Sequence, residues 1–155
     1  MGVSARKRGL WINQGKGDNV GEGLAGIRVV LIDDSNTIRR SGEIFLSQAG
    51  CKVVLAEDGF DGLSKVVDNK PDIIFVDVMM PRLDGYQTCA LIKNHAEFKD
   101  TPVVMLTSKD SLFDRARGKL VGADEYLTKP FSKKSLIEAV TMHTTKQGRG
   151  MDYGN

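Results

Sequence analysis

The stretch IIFVDVMMPRLDG at residues 73–85 decides the fold that we predict for this chain. Residues 73–76 form a continuous apolar run, which is typical of a strand that is covered on both faces. Asp77 follows directly, although a carboxylate is costly to bury. Asp84 and Gly85 then mark a turn. The chain therefore places a charge where its most apolar strand ends, and this position needs an explanation.

Apolar runs and helical patterns alternate along the chain on both sides of this stretch. We predict strands at 27–33, 52–56, 72–77, 101–107 and 123–128, and helices at 35–49, 59–69, about 85–94, about 110–121 and 132–145. Such alternation predicts an α/β fold, a parallel sheet with helices on both faces. In an open sheet of this kind, the functional site lies outside the carboxyl ends of the strands.

The helices carry local signals of their own. Ser35 is a candidate N-cap of the first helix, and Gly50 is a candidate stop for it. Helical spacing predicts that Val67 faces the core, and it places Leu120 on the apolar stripe of the fourth helix.

Length and composition are those of one ordinary domain. The chain has 155 residues, of which 41% are hydrophobic and 27% are charged, so it can fold as a soluble globule. No apolar stretch approaches the roughly 20 residues that a membrane span needs. No apolar signal-peptide core follows the basic residues at 6–8. We therefore predict a cytoplasmic protein with no membrane span.

The first 26 residues differ from the rest of the chain. They contain seven of its 17 glycines and show no periodicity, so we predict a flexible arm over 1–26. A folded domain is predicted over 27–146 and a flexible polar tail over 147–155. The apolar residues 10–12, which include Trp11, are either a loose cluster within the arm or a short docking motif for a partner.

Charge and cysteine usage exclude several classes of function. The net charge of +2 is that of residues 1–26, because the other residues carry 18 basic and 18 acidic side chains. This balance gives no basis for nucleic-acid binding by the folded part. Cys51 and Cys89 form no CxxC pair, so we predict neither a disulfide framework nor a zinc site.

Reactive side chains follow four of the predicted strands. Asp33 and Asp34 end the first strand, Asp77 ends the third, Thr107 and Ser108 end the fourth, and Lys129 and Pro130 follow the fifth. Right-handed crossovers would bring the first and third strands side by side, so three carboxylates would converge on one small volume.

This convergence points to a particular chemistry. Like charges this close repel, and burial raises their pKa values, so a divalent cation would stabilise the group. Carboxylate and backbone oxygens suit Mg²⁺. Asp77 would be the nucleophile that forms an acyl phosphate, with Lys129 and Thr107 binding the phosphoryl oxygens. Taken alone, Asp34 would be interpreted as a helix cap and Thr107 as a loop hydroxyl. The combination of these residues at successive strand ends is what indicates phosphoryl chemistry.

With these residues in hand, the chain resembles the response-regulator receiver domains of two-component signalling. The matching motifs are LIDDS (31–35), VDVMMPRLDG (76–85), VVMLTS (103–108) and YLTKPF (126–131), and the match covers about residues 27–146. The resemblance implies a flavodoxin-like, doubly wound sheet of five parallel strands in the order 2-1-3-4-5.

The resemblance also assigns roles to the site residues. It implies that Asp77 takes a phosphoryl group from the phosphohistidine of a histidine kinase. Asp33, Asp34 and Asp77 would hold Mg²⁺ with the backbone carbonyl of Met79. Lys129 would pair with the phosphoryl group, and the bond before Pro130 would be cis, an uncommon state.

A switch is implied as well. Phosphorylated Asp77 would draw in the Thr107 hydroxyl beside Ser108, and Tyr126, which we expect to be half-exposed, would turn inward. The face made by the fourth helix, fifth strand and fifth helix would then bind a downstream protein. We expect a monomer before phosphorylation.

The lifetime of the phosphorylated state depends on two further positions in this family. Met79 and Lys109 occupy them, and neither side chain offers a carboxylate or amide to orient an attacking water. We therefore expect a lifetime of minutes rather than seconds.

The resemblance extends to a narrower group. The chain ends at Asn155 without a following effector domain, so we expect a stand-alone receiver. The segments GIRVVLIDDSNTIRRSGEIFL (26–46) and MMPRLDGYQTCALIKN (79–94) are similar to receivers that serve type IV pilus twitching motility. Receivers of flagellar chemotaxis stay open as an alternative.

Three other interpretations compete. An aspartyl-phosphate phosphatase would need a second acid two residues after Asp77, where Met79 stands. A flavin-binding protein would need a hydroxyl- and glycine-rich loop after the first strand, where the chain has DDSNTIRR. A receiver that is never phosphorylated and serves as a docking module would not need its intact acids, Thr107 and Lys129.

Overall fold

The computed structural model describes residues 23–108 and 112–153. Within them five strands alternate with five helices. The strands are β1 (Arg28–Ile32), β2 (Lys52–Ala56), β3 (Ile73–Asp77), β4 (Val103–Thr107) and β5 (Glu125–Thr128). The helices are α1 (Asn36–Gln48), α2 (Gly59–Asn69), α3 (Gly85–Lys93), α4 (Leu112–Leu120) and α5 (Lys133–Tyr153). Trp11 and its apolar neighbours, and also Lys109, lie outside the described residues.

All pairs of neighbouring strands are parallel, and the sheet order is β2-β1-β3-β4-β5. This is the predicted order 2-1-3-4-5, so the fold class is confirmed. Ile32 pairs with Val76, Asp77 with Leu106, and Thr107 with Thr128. The carboxyl ends of the three central strands therefore meet at one edge of the sheet.

The sheet separates two hydrophobic cores. Val29 and Leu31 of β1 pack into the core beneath α1 and α5, whereas Val30 and Ile32 pack into the core beneath α2 and α3. Successive side chains of a strand point to opposite faces, so a strand covered on both sides must be apolar throughout. The same rule explains the unbroken apolar run of β3, which is fully buried.

Polar caps fix where the helices begin and end. The Ser35 hydroxyl accepts a hydrogen bond from the backbone N–H of Ile38 at 3.3 Å, which confirms Ser35 as the N-cap of α1. Gly50, with φ of 98°, follows the end of α1. Asp84 caps α3 in a capping box with Gln87, so the predicted turn is also a helix start.

The predicted boundaries need two corrections. Leu24 is 2% exposed and belongs to the core under α1 and α5, so the arm predicted over 1–26 extends too far into the domain. The Gly26 N–H also donates to the Gly50 carbonyl at 3.1 Å. The last helix was predicted to end at 145, but α5 reaches Tyr153, within the segment predicted as a tail. Glycine weakens a helix by about 1 kcal/mol but keeps its N–H donor, so Gly148 and Gly150 do not force an end.

Two apolar side chains that we expected on helix stripes are exposed. Val67 is 47% exposed because it follows the buried Val66, and consecutive residues of a helix point in different directions. Leu120 is 85% exposed at the last position of α4. No helix within the described part of the chain is long and apolar enough to cross a bilayer.

Candidate functional site

Three carboxylates meet at the carboxyl edge of the sheet. One oxygen each from Asp33, Asp34 and Asp77 lies within 4.8 Å of the other two. Asp33 is 0% and Asp77 is 2% exposed, whereas Asp34 is open to solvent. The structure therefore brings together the three acids that the sequence placed at the ends of β1 and β3.

Lys129 joins two of these acids. Its Nζ atom donates to Asp77 Oδ1 at 2.9 Å and to Asp33 Oδ2 at 3.2 Å, and its side chain is 16% exposed. The backbone N–H of Lys129 donates to the Thr107 carbonyl at 2.7 Å, which ties the loop after β5 to the end of β4. The bond between Lys129 and Pro130 is cis, as the resemblance implies.

Burial sets the protonation of the acids. It raises the pKa of Asp77 to about 6; the charge of Asp33 adds to this rise and Lys129 opposes it. Burial also raises the pKa of Asp33. The hydrogen bond from the Ser35 N–H and the charge of Lys129 lower this pKa, but burial outweighs them. Burial alone would lower the pKa of Lys129, but Asp77 and Asp33 outweigh it, so that pKa is raised.

This donor set fits a divalent cation. Three carboxylates and one ammonium leave a net charge of about −2 when all are ionised, at standard pKa values. Burial raises the pKa values of Asp33 and Asp77 although Lys129 bonds to both, so one ammonium group does not offset the burial of these two carboxylates. Oxygen ligands of this kind suit a hard cation such as Mg²⁺, and the exposed Asp34 leaves a path from solvent.

The loop after β3 holds Asp77 in place. The Met79 N–H donates to Asp77 Oδ1 at 3.4 Å, while the Met79 side chain is 74% exposed. The Gly85 N–H donates to the Val78 carbonyl at 2.9 Å. A Cβ atom at Gly85 would collide with the Asp77 carbonyl oxygen, so only glycine allows α3 to start this close to β3.

Two predicted switch residues lie on the same side of the sheet. Thr107 ends β4 and is 5% exposed, and Ser108 follows it at the surface. Tyr126, in β5, is half-buried as expected, and its hydroxyl lies 3.5 Å from the Tyr86 hydroxyl. Tyr126 therefore already packs against the core beneath α2 and α3.

The residues of α4 that lie near Tyr126 and Tyr86 were not predicted from the sequence. A Cβ atom at Gly118 of α4 would collide with the Tyr126 hydroxyl, and the Arg117 guanidinium lies 4.2 Å from the centre of the Tyr86 ring. A glycine inside a helix, where alanine is preferred, was the available signal. Arg39 was missed as well: its Nη1 atom donates to the Asp33 carbonyl at 2.7 Å.

Comparison with known proteins identifies the class. The response regulator receiver domain family matches residues 29–141, which include all three acids, Thr107 and Lys129. The chain belongs to this family, so it is a receiver-domain protein of the two-component type.

Individual relatives agree with this assignment. The chain is 63% identical over 118 residues to Protein PilG of Pseudomonas aeruginosa, a match that covers 76% of this chain and 87% of that protein. It is 40% identical over 111 residues to Response regulator MprA of a Mycobacterium species, covering 72% of this chain and 47% of that longer protein.

Solved structures show the same fold. The chemotaxis protein CheY4 of Vibrio cholerae is similar with a TM-score of 0.74 and 34% identity, over 77% of this chain and 99% of that one.

Proposed function

We propose that this protein is a stand-alone response regulator that receives a phosphoryl group on Asp77 from the phosphohistidine of a histidine kinase. The observation that supports this most strongly is the buried Asp77 carboxylate, bonded to Lys129 and close to Asp33 and Asp34. Its pKa, raised to about 6, still leaves the carboxylate ionised at neutral pH, so it is available as a nucleophile.

The transfer step follows from this arrangement. A carboxylate oxygen of Asp77 attacks the phosphorus, a P–O bond forms, and the P–N bond of the phosphohistidine breaks. The electron pair of that bond stays on the imidazole nitrogen, which takes up a proton. Lys129 would stabilise the negative charge of the phosphoryl oxygens, and Thr107 would supply a hydroxyl at the same edge.

A divalent cation completes the proposed site. Asp33, Asp34 and Asp77 would hold Mg²⁺ with the backbone carbonyl of Met79. When bound, Mg²⁺ supplies positive charge that neutralises the carboxylates and the phosphoryl oxygens.

The proposed output is a change of surface. Phosphorylation would draw the Thr107 hydroxyl, and Ser108 with it, toward Asp77 and stabilise one position of the Tyr126 ring between β5 and α4. The face of α4, β5 and α5 would then bind a downstream protein, and the unphosphorylated protein would be a cytoplasmic monomer. In this proposal the Tyr126 ring has two positions, and only one of them gives the binding face its active form. The phosphoryl group then needs only to shift the populations of these two positions.

The proposed process is type IV pilus twitching motility. The segments at 26–46 and 79–94 that resemble receivers of this group support it, as does the 63% identity to Protein PilG. Deletion of the gene in its own host tests the assignment. Loss of twitching with normal swimming is expected, whereas loss of swimming alone would favour flagellar chemotaxis.

Incubation with acetyl phosphate and Mg²⁺, followed by intact-mass measurement, tests the phosphoacceptor role. We expect one added phosphoryl group on the unmodified chain and none on Asp77→Asn. No addition to either protein would favour a docking module, and steady turnover of a generic phosphatase substrate would favour a phosphatase.

The same preparation tests the expected lifetime. After removal of acetyl phosphate, the added mass should decay over minutes. Loss of half of it within a few seconds would contradict the roles that we predict for Met79 and Lys109.

A further inference from the structure

Asp33 is held at every polar atom it has. Its N–H donates to the Ala56 carbonyl at 3.1 Å, and its Oδ1 and Oδ2 accept from the Ser35 N–H at 2.8 Å and from Lys129 Nζ at 3.2 Å. The remaining atom, the carbonyl oxygen, accepts from Arg39 Nη1 at 2.7 Å. This carbonyl belongs to the peptide that joins Asp33 to Asp34. Arg39 therefore fixes the peptide between two of the three clustered acids.

The place of Arg39 in the helix is electrostatically unfavourable. It lies near the N-terminus of α1, and the first turn of that helix contains no acidic residue. A cation near a helix N-terminus is disfavoured by the positive end of the helix dipole. The half-buried Arg39 reaches back along the chain, and its Nη2 also donates to Asn36 Oδ1 at 3.3 Å. The contacts of its guanidinium group are therefore made toward the start of the helix and the loop before it.

We propose that Arg39 is a positioning residue for the divalent-cation site. By binding the Asp33 carbonyl, it holds the Asp33–Asp34 peptide in one orientation, so the exposed Asp34 carboxylate stays close to Asp33 and Asp77. This inference rests on the proposed Mg²⁺ site. Arg39 is not among the residues proposed to bind the cation or the phosphoryl group.

Charge and positioning predict opposite effects of removing Arg39. A guanidinium repels a cation, so by charge alone its loss would strengthen Mg²⁺ binding. Loss of a group that orients ligands instead weakens metal binding, commonly by about 10-fold or more. The sign of the change therefore distinguishes the two roles.

The experiment measures Mg²⁺ dissociation constants by isothermal titration calorimetry for the full chain at neutral pH. For Arg39→Ala we expect an affinity about 10-fold lower. Arg39→Lys keeps a long donor and should recover part of the loss. Arg40→Ala is the matched control. It removes the same charge from the next residue along the chain, whose side chain is 74% exposed. It should bind Mg²⁺ as the unmodified chain does.

Stability and phosphorylation complete the test. Urea denaturation without Mg²⁺ checks that each variant is folded; should Arg39→Ala not fold, Arg39→Met keeps most of the aliphatic stem and serves in its place. Phosphorylation of the Arg39 variant by acetyl phosphate should recover when Mg²⁺ is raised about 10-fold, in proportion to the expected loss of affinity.

The possible outcomes separate this inference from the proposed function. Equal or tighter Mg²⁺ binding by Arg39→Ala would overturn the positioning role, and so would an equal loss in Arg40→Ala. Absence of Mg²⁺ binding by the unmodified chain would instead overturn the proposed cation site itself.

Discussion

The Nζ atom of Lys129 lies 2.9 Å from Asp77 Oδ1, although the two residues are 52 positions apart in the chain. This bond links the end of β3 to the loop after β5, and the same ammonium group reaches Asp33. Even so, the pKa of Asp77 is raised to about 6, because burial and Asp33 outweigh Lys129. The site is therefore less stable than it would be with full charge compensation.

Replacement of Asp77 by asparagine should stabilise the metal-free protein at pH 8. Folding raises the pKa of Asp77 from near 3.8 to about 6, so the folded state binds more protons than the unfolded state between these values. The free energy of unfolding must therefore fall as the pH rises through this range. Asp77→Asn does not undergo this loss of stability. Its free energy of unfolding should therefore exceed that of the unmodified chain by about 1–3 kcal/mol at pH 8, and the difference should disappear near pH 4.

Urea denaturation in the presence of EDTA, from pH 4 to pH 8, would measure this difference. Asp68→Asn is the control, because Asp68 is an exposed residue of α2. A lower stability of Asp77→Asn than of the unmodified chain at pH 8 would contradict the assigned charge balance.

Replacement of Lys129 by methionine should destabilise the metal-free protein. The change leaves Asp33 and Asp77 buried without their common partner, a loss that costs about 3 kcal/mol in comparable buried pairs. The cost should be smaller at pH 5, where Asp77 is largely protonated, since its pKa is about 6. Lys134→Met changes an exposed lysine of α5 and is the matched control.

Mg²⁺ should restore part of the stability that Lys129→Met loses, because a bound cation supplies the missing positive charge. The comparison requires urea midpoints with and without Mg²⁺. If Lys129→Met and Lys134→Met lose equal stability, then Lys129 does not compensate the two acids.

Replacement of Gly118 by alanine should destabilise the protein, although alanine is the better helix former by about 0.5–1 kcal/mol. The added methyl group would collide with the Tyr126 ring, and such overpacking costs about 1–3 kcal/mol. In a Tyr126→Ala background the collision is absent, so there Gly118→Ala should stabilise. A double-mutant cycle by urea denaturation measures both effects. Equal effects in the two backgrounds would show that Tyr126 does not occupy the space beside Gly118.

The two cysteines should resist thiol reagents in the folded protein. Burial raises the pKa of both Cys51 and Cys89 to about 11, and the thiolate is the reactive form. Reaction with a disulfide reagent at pH 8 should be slow in buffer and fast in guanidinium chloride. Labelling of both thiols at the rate of the unfolded chain would contradict their placement in the two cores.

The sequence was sufficient to predict the sheet and the acids. The uninterrupted apolar run of β3 is typical of a strand that is covered on both faces, and the last residue of such a strand lies at the carboxyl edge. Parallel strands end at the same edge, and right-handed crossovers were expected to bring β1 beside β3, so Asp33 and Asp77 were expected to meet. The pairing of Ile32 with Val76 agrees with this.

Contacts that depend on side-chain reach were not predictable in the same way. The bond from Arg39 to the Asp33 carbonyl depends on how a long side chain folds back, and no period in the sequence encodes that. The contact between Gly118 and Tyr126 depends on how α4 lies against β5. The burial of Leu24 likewise follows from the way the chain enters β1, which glycine-rich composition does not reveal.

The position of the phosphoryl group tests the proposed role of Asp77 most directly. The chain is incubated with acetyl phosphate and Mg²⁺, treated with borohydride, which reduces an aspartyl phosphate to homoserine, and sequenced by tandem mass spectrometry. We predict homoserine at position 77 and aspartate at positions 33 and 34. Homoserine at 33 or 34, or aspartate retained at 77 in a chain that has gained phosphate, would contradict the account.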